Sequence, residues 1–249
     1  MMNASRKARL LTLATAVLAA AALAGCGTQA APPGQPVAPG TPSTPLPGPV
    51  TSPPVPPSAP AVPPGTVVSS RVAYPWHWPN GQLWPGKVQH SYRVPPVPEL
   101  IAIRVGHHPA AGGERAYNRM SFTFTHAFPG YEFQFVSQLV ADGSGKPVTL
   151  AGNDAPLRVI FRNAQAHTAS GAPSVVTRPP AHLGLSRMVS WAQAGDFEGV
   201  VTIGIGIDRP ILHSNPQFPV RAYEVEKVTA QGQHLYVVAI DIDATQPAG

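Results

Sequence analysis

Residues 117–136 read YNRMSFTFTHAFPGYEFQFV. Met120, Phe122 and Phe124 alternate with Ser121, Thr123 and Thr125, and beyond Pro129-Gly130 Tyr131, Phe133 and Phe135 alternate with Glu132 and Gln134. Successive side chains of an extended chain point to opposite faces, so a period of two with one apolar set marks a strand buried on one side. The same period runs through Ile101, Ile103 and Val105, through Leu157, Val159 and Phe161, and through RAYEVEKV at 221–228. FEGVVTIGIGI (197–207) and HLYVVAIDID (234–243) are more evenly apolar, as central strands are. LGLSRMVSWAQAG (183–195) is the best helical candidate, although Val189, Ser190 and Trp191 suit a strand equally well. Gly, Pro, Asn and Asp punctuate the runs at short intervals. The expectation is an all-β chain with a single β-sandwich of about seven to nine short strands over 99–244 and a disordered tail at 245–249. A domain of about 150 residues buries enough surface to stand without disulfides.

The region before the sandwich is of another kind. Arg6, Lys7 and Arg9 precede an uncharged apolar run, Leu10 to Ala22, which is too short for a membrane span of about 20 residues and has the length of a signal-peptide core. It ends in Leu23-Ala24-Gly25-Cys26, which contains the only cysteine of the chain. This tetrapeptide resembles the lipobox of bacterial lipoproteins. The resemblance implies a diacylglyceryl thioether on Cys26, cleavage between Gly25 and Cys26, and a leader at 1–25. An ordinary secretory peptide with an incidental Cys26 is the alternative. Two palmitate-type chains at about 0.8 kcal/mol per methylene hold a protein in a membrane where one short chain does so only marginally. Loss of the leader leaves 14 basic residues against 12 acidic ones, so the pI near 9.7 gives no reason to expect nucleic acid as a partner.

From Pro32 to Pro64, 15 of 33 residues are proline, and no charged residue lies between Arg9 and Arg71. Such a segment lacks the apolar bulk for a core and favours polyproline II, so 26–70 reads as a disordered tether carrying the lipid. At about 3.1 Å per residue its extended reach is on the order of 100 Å. A strap rich in Trp and Pro, 71–98, follows. Its YPWHWPNGQLWPG (74–86) holds Trp76, His77, Trp78 and Trp84. A row of rings there suits stacking on sugar faces. Three fully exposed tryptophans would present about 600 Å², the upper end of what a monomer shows, so packing of some rings onto the sandwich is expected.

Chemistry-bearing motifs are sparse. There is no G-x-S-x-G, no S-x-x-K in the domain and no H-E-x-x-H, and His107-His108 are adjacent and face opposite ways in a strand. No cofactor or metal is therefore expected. Asp196 and Glu198 at i,i+2 would share a face of an extended chain and could hold a hard cation or act as acid and base. A strand end with Asp196 in a turn closed by Gly195 is the competing structural reading. Asp241 and Asp243 read as a solvated strand end. DGSGKP (142–147) lacks Walker spacing and reads as a hairpin turn, and GIGI (204–207) as a bulge or a tight packing contact.

YNRMSFTF, FPGYEFQFV, LVADGSGKPVTLAG, LRVIFRNAQAH and AGDFEGVVTIGIGI occur in this order between about Leu100 and Ile242. In this the chain resembles the AMIN-like domains of actinobacterial lipoproteins. That resemblance implies a β-sandwich at the cell envelope with peptidoglycan as the partner, and it brings no catalytic residue set. The expected protein is thus non-catalytic and exported, lipid-anchored through Cys26 to the outer face of the cell membrane. It is expected to bind peptidoglycan or an envelope protein, with Trp76, His77, Trp78, Trp84, Asp196 and Glu198 as candidate contacts. The alternatives are an enzyme acting on a wall polymer through Asp196 and Glu198, and a structural subunit of an envelope complex.

Overall fold

A computed structural model describes residues 64–79, 85–152, 156–208 and 218–245. Within them the chain is all-β, with ten strands: β1 (Gly65–His77), β2 (Gly86–Val88), β3 (Leu100–His108), β4 (Tyr117–Phe124), β5 (Gly130–Phe135), β6 (Leu157–Arg162), β7 (Met188–Phe197), β8 (Val200–Ile207), β9 (Val220–Thr229) and β10 (His234–Asp243). They form two antiparallel five-stranded sheets, β1-β9-β10-β4-β3 and β2-β5-β6-β8-β7. The segment 183–195 is strand rather than helix from Met188 onward.

The alternation read at 117–136 builds both layers at once. β4 belongs to the first sheet and β5 to the second, so the chain crosses between layers at the intervening corner, where His126 has φ 65° and Ala127 donates its N–H to the Thr125 carbonyl. Met120, Phe122 and Phe124 thereby face Tyr131, Phe133 and Phe135 across one core, joined by Val238, Ile240 and Ile242 of β10 and by Val201, Ile203, Ile205 and Ile207 of β8. Phe161 on β6 lies 4.8 Å from Phe122 and 4.9 Å from Phe124, ring centre to ring centre. Each such ring contributes about 1.5–3 kcal/mol by burial, with more from the tilted aromatic geometry.

The strand count exceeds the expected seven to nine because the Trp/Pro segment supplies two of its own. β1 begins at Gly65, inside the span expected to be tether, and runs as the outer strand of the first sheet. There Pro75, with no N–H to donate, is tolerated. β2 is the three-residue outer strand of the second sheet. β1 thus ends at an outer edge of one sheet, and β2 lies at an outer edge of the other. Tyr74 packs edge-on against Phe133 at 5.1 Å, and a Cβ on Gly86 would collide with the same ring.

Two glycine motifs have local causes. In GIGI, Ile205 and Ile207 point into the core, while the outer face at Gly204 and Gly206 is covered by the β5–β6 connection folded back over it. A Cβ on Gly204 would overlap Leu139, and one on Gly206 would overlap the Ala151 carbonyl oxygen and Ser190 Oγ. That connection carries the DGSGKP turn, closed by Ala141 N–H to Lys146 O at 2.8 Å, with Gly145 at φ 64°. Gly206→Ala pushes a side chain into the Ala151 carbonyl, so backbone must shift to admit it. It is expected to lower stability by about 1–3 kcal/mol in urea denaturation, with the far-UV spectrum of the folded state unchanged.

Candidate binding face

The densest array of charged and aromatic side chains lies on the outer face of the first sheet, and strand register assembles it. Asp241 of β10 is paired directly with Arg119 of β4 on one side and Arg221 of β9 on the other. Its carboxylate is fully buried. It accepts from Arg119 Nε at 2.6 Å and Nη2 at 2.9 Å, and from Arg221 Nε at 2.9 Å and Nη2 at 2.8 Å. Burial alone would lower the Arg119 pKa, but the hydrogen bond and charge of Asp241 outweigh it and hold the guanidinium more firmly charged than usual. Arg221 also reaches Glu114 at 3.0 Å, and Arg115 donates to Asp243 at 2.6 Å.

Aromatic rings fill the spaces between these planes. Arg221 sits 4.7 Å from the centre of the Trp76 ring and 5.0 Å from that of Tyr117. Arg115 lies 5.0 Å from Trp76, and Arg119 lies 5.2 Å from Tyr117 and 5.4 Å from Tyr223. His108 stacks on Tyr117 at 4.5 Å, and burial together with the Arg119 charge lowers its pKa, favouring the neutral ring. Beside this lattice the 110–115 turn, Asp243 and Thr245 line an open concavity of about 700 Å³. A second groove of about 580 Å³ continues from it between Pro109 and Leu185. The exposed charged groups at the first are Glu114 and Arg115, with side chains 55% and 40% accessible.

The residues singled out in the sequence are not gathered in one place. Trp76 is half-buried within the lattice, and His77, paired with Val220, is exposed. Trp78, just past β1, is 45% exposed. Trp84 lies outside the described residues, as do Gly25 and Cys26. Asp196 and Glu198 belong to the other sheet and do not share a face. Glu198 (φ 49°) and Gly199 (φ 75°) form the two-residue turn between β7 and β8, and this left-handed backbone turns Glu198 out to solvent. Nor is Asp196 in a turn: it is the next-to-last residue of β7, accepting the Ala166 N–H at 2.9 Å and pairing with His167 Nδ1 at 2.8 Å. The paired-acid arrangement is therefore not built. Among the described residues no group of three or more His, Cys, Asp or Glu side chains could hold a metal ion.

Asp241 corrects a further expectation, since it is buried between two arginines rather than solvated. The signal that could have found it was present in three strands. Tyr117-x-Arg119, Arg221-x-Tyr223 and Asp241-x-Asp243 each place two charged or aromatic side chains on one face by period two.

A second buried carboxylate joins the sheets. Glu224 of β9, 1% accessible, accepts from Arg71 Nε at 2.8 Å and from the Tyr131 hydroxyl at 2.9 Å, and meets His90 Nε2 at 2.8 Å. Burial pushes the Glu224 pKa up, but the hydrogen bonds of His90, Arg71 and Tyr131 prevail and the net shift is downward. Burial, with the Glu224 charge, pushes the Tyr131 hydroxyl well above its ordinary range.

The model of the AMIN-like domain matches residues 98–238. The chain belongs to the AMIN-like family. Neither a curated protein nor a solved structure matches it. AMIN-like domains are generally non-catalytic binding domains with a peptidoglycan-associated role. The matched span leaves out β1 and β2 and stops before Asp241 and Asp243, so in this AMIN-like protein part of the Arg–aromatic face comes from flanking sequence.

Because its folded-state pKa is depressed, Glu224 contributes stability that is present above the ordinary carboxylate range and lost as pH falls through the folded value. Glu224→Gln is expected to cost about 1–3 kcal/mol at neutral pH. The gap from the parent chain should narrow on acidification below the ordinary value of 4.5. Thermal melts of both proteins across that range check this.

Proposed function

We propose that this AMIN-like protein is a lipid-anchored envelope lipoprotein whose sandwich binds peptidoglycan without catalysing a reaction on it. The observation that carries the reading is the outer face of the first sheet. There Arg115, Glu114 and Asp243 offer donors and acceptors beside an open concavity, and indole rings lie within the same face and at the end of its edge strand. A sugar ring presents an apolar C–H face to an aromatic and a rim of hydroxyl, acetamide and carboxylate groups to charged side chains, so a mixed face of this kind suits a glycan bearing short peptides. Family membership supports the peptidoglycan association. The lipobox at Cys26 and the proline-rich stretch that follows support anchoring, with a tether long enough to carry the domain into the wall layer.

Purified protein mixed with insoluble sacculi is expected to co-sediment with them. Arg115→Ala is expected to weaken retention by roughly 5–30-fold, the equivalent of about 1–2 kcal/mol, and Trp78→Ala to weaken it as well. Phe197→Ala, 67% exposed on the opposite sheet, is expected to leave retention unchanged. Failure of the parent chain to co-sediment, or equal retention of all variants, overturns the proposal for this face. Anchoring is tested separately. Cys26→Ala is expected to move the protein from the membrane fraction to the soluble one and to abolish incorporation of labelled palmitate.

A further inference from the structure

Each five-stranded sheet has two outer strands, and three of the four resulting edges are blunted. β3 is covered by the β6–β7 connection, where Leu100 N–H meets Gln165 O at 2.8 Å, Val176 N–H meets Ile101 O at 3.0 Å, and Ile103 N–H meets Thr177 O at 2.8 Å. β7 is covered by 181–183 through Leu183 N–H to Val189 O and Trp191 N–H to Ala181 O. β2 has three residues. β1 has thirteen, pairs with β9 on one side, and has no strand or bridge on its other side among the described residues. Natural proteins guard a long edge with charge, proline or bulges. Here Pro75 and the register shifts at Val72/Tyr74 and Tyr74/His77 guard the last part of β1, and a further shift falls between Val67 and Ser69, which leaves Ser69–Val72 in regular register. The only charge in Gly65–Tyr74 is Arg71, which turns to the face of Glu224 and is bound there. Ser69 likewise turns to Glu226, so Ser70 and Val72 remain on the opposite face; Val68, the extra residue of the bulge before Ser69, is 54% exposed and Val72 50%.

We propose that the free edge of β1 pairs antiparallel with β1 of a second copy of this chain. The occupant follows from the strand itself. A two-fold axis through Ser70 sets Val68 of each copy opposite Val72 of the other and Ser69 opposite Arg71. Two valine pairs are then buried, and no charge faces its own kind. The chain's own preceding segment is a poor alternative, because Pro32–Pro64 has proline at 15 of 33 positions and cannot supply the N–H groups of a ladder. This inference stands apart from peptidoglycan binding, since it uses the β1 edge rather than Arg115 and the concavity.

The full-length chain in detergent micelles, studied by sedimentation equilibrium, is expected to show twice the monomer mass of protein. Val68→Lys/Val72→Lys, which places charges on the exposed edge face, is expected to be monomeric while retaining the parent's cooperative melt. In a Cys26→Ser background, Ser70→Cys has the only thiol of the chain. Directly opposed residues of antiparallel strands lie about 4.5–5.5 Å apart at Cα, within disulfide range, so this variant is expected to form a disulfide-linked dimer on mild oxidation. A monomeric parent chain, a lysine variant that remains dimeric, or a Ser70→Cys variant that does not link overturns the proposal. The cysteine variant decides the matter if the lysine variant does not fold.

Discussion

Phe161 wedged between Phe122 and Phe124 is the contact on which the two-layer architecture depends. A chain with a single cysteine can form no disulfide within itself, so apolar burial between the sheets must supply most of what holds them together. The rings meet because β4 and β6 lie in different sheets with opposed inner faces, and the apolar members of each alternating run are aimed at the same space. A one-residue slip in either strand would turn its phenylalanines to solvent and its threonines or arginines inward, so the core enforces the register of every strand that borders it. Asp241 can stand directly across from both Arg119 and Arg221 only because Ile240 and Ile242, its neighbours on β10, are locked inward.

The two sheets are also joined at a polar point. Glu224 faces the core from the first sheet and takes the hydroxyl of Tyr131 from the second, while His90, just past β2, stacks on Phe128 and completes the set. A buried carboxylate without partners would be costly, yet with three donors around it the charge is retained. Its hydrogen bonds have directions, unlike the phenylalanine contacts, so Glu224 favours one alignment of the layers over neighbouring ones of similar apolar burial. β1 is tied into the same arrangement, since Arg71 is the third donor and Tyr74 packs on Phe133.

The fold was largely legible because a half-buried strand writes its geometry into the sequence every second residue. The runs at 101–105, 120–124, 131–135, 157–161 and 221–228 all correspond to strands. Composition obscures β1: Pro75 and the adjacent proline-rich sequence suggest irregular chain, whereas an outer strand needs hydrogen bonds on only one side. The i,i+2 spacing of Asp196 and Glu198 does not put them on one face, because Glu198 lies in a two-residue turn whose left-handed φ breaks the alternation. At Asp241 the solvated strand-end reading fails for a different reason. Its burial depends on arginines far away in sequence, and no local pattern states which strands will lie beside β10. The partners of Glu224 are equally non-local, with Arg71, His90 and Tyr131 coming from three separate segments.

A buried ion pair is weak evidence of stability, because desolvation can exceed the Coulombic gain. The Asp241 cluster is better understood through what it immobilises. With both guanidinium planes fixed by a shared carboxylate, the rings of Trp76, Tyr117 and Tyr223 are held against them and lose little further freedom when something binds, which lowers the cost of association. The same bracing has a consequence for which groups a ligand can touch. Arg115 and Arg221 both lie within 5.0 Å of the Trp76 ring centre, so much of that ring is already occupied. In the proposed peptidoglycan complex, direct contact would therefore fall to the outermost members, Glu114, Arg115 and Trp78. Arg119, Arg221 and Trp76 would then act as their support.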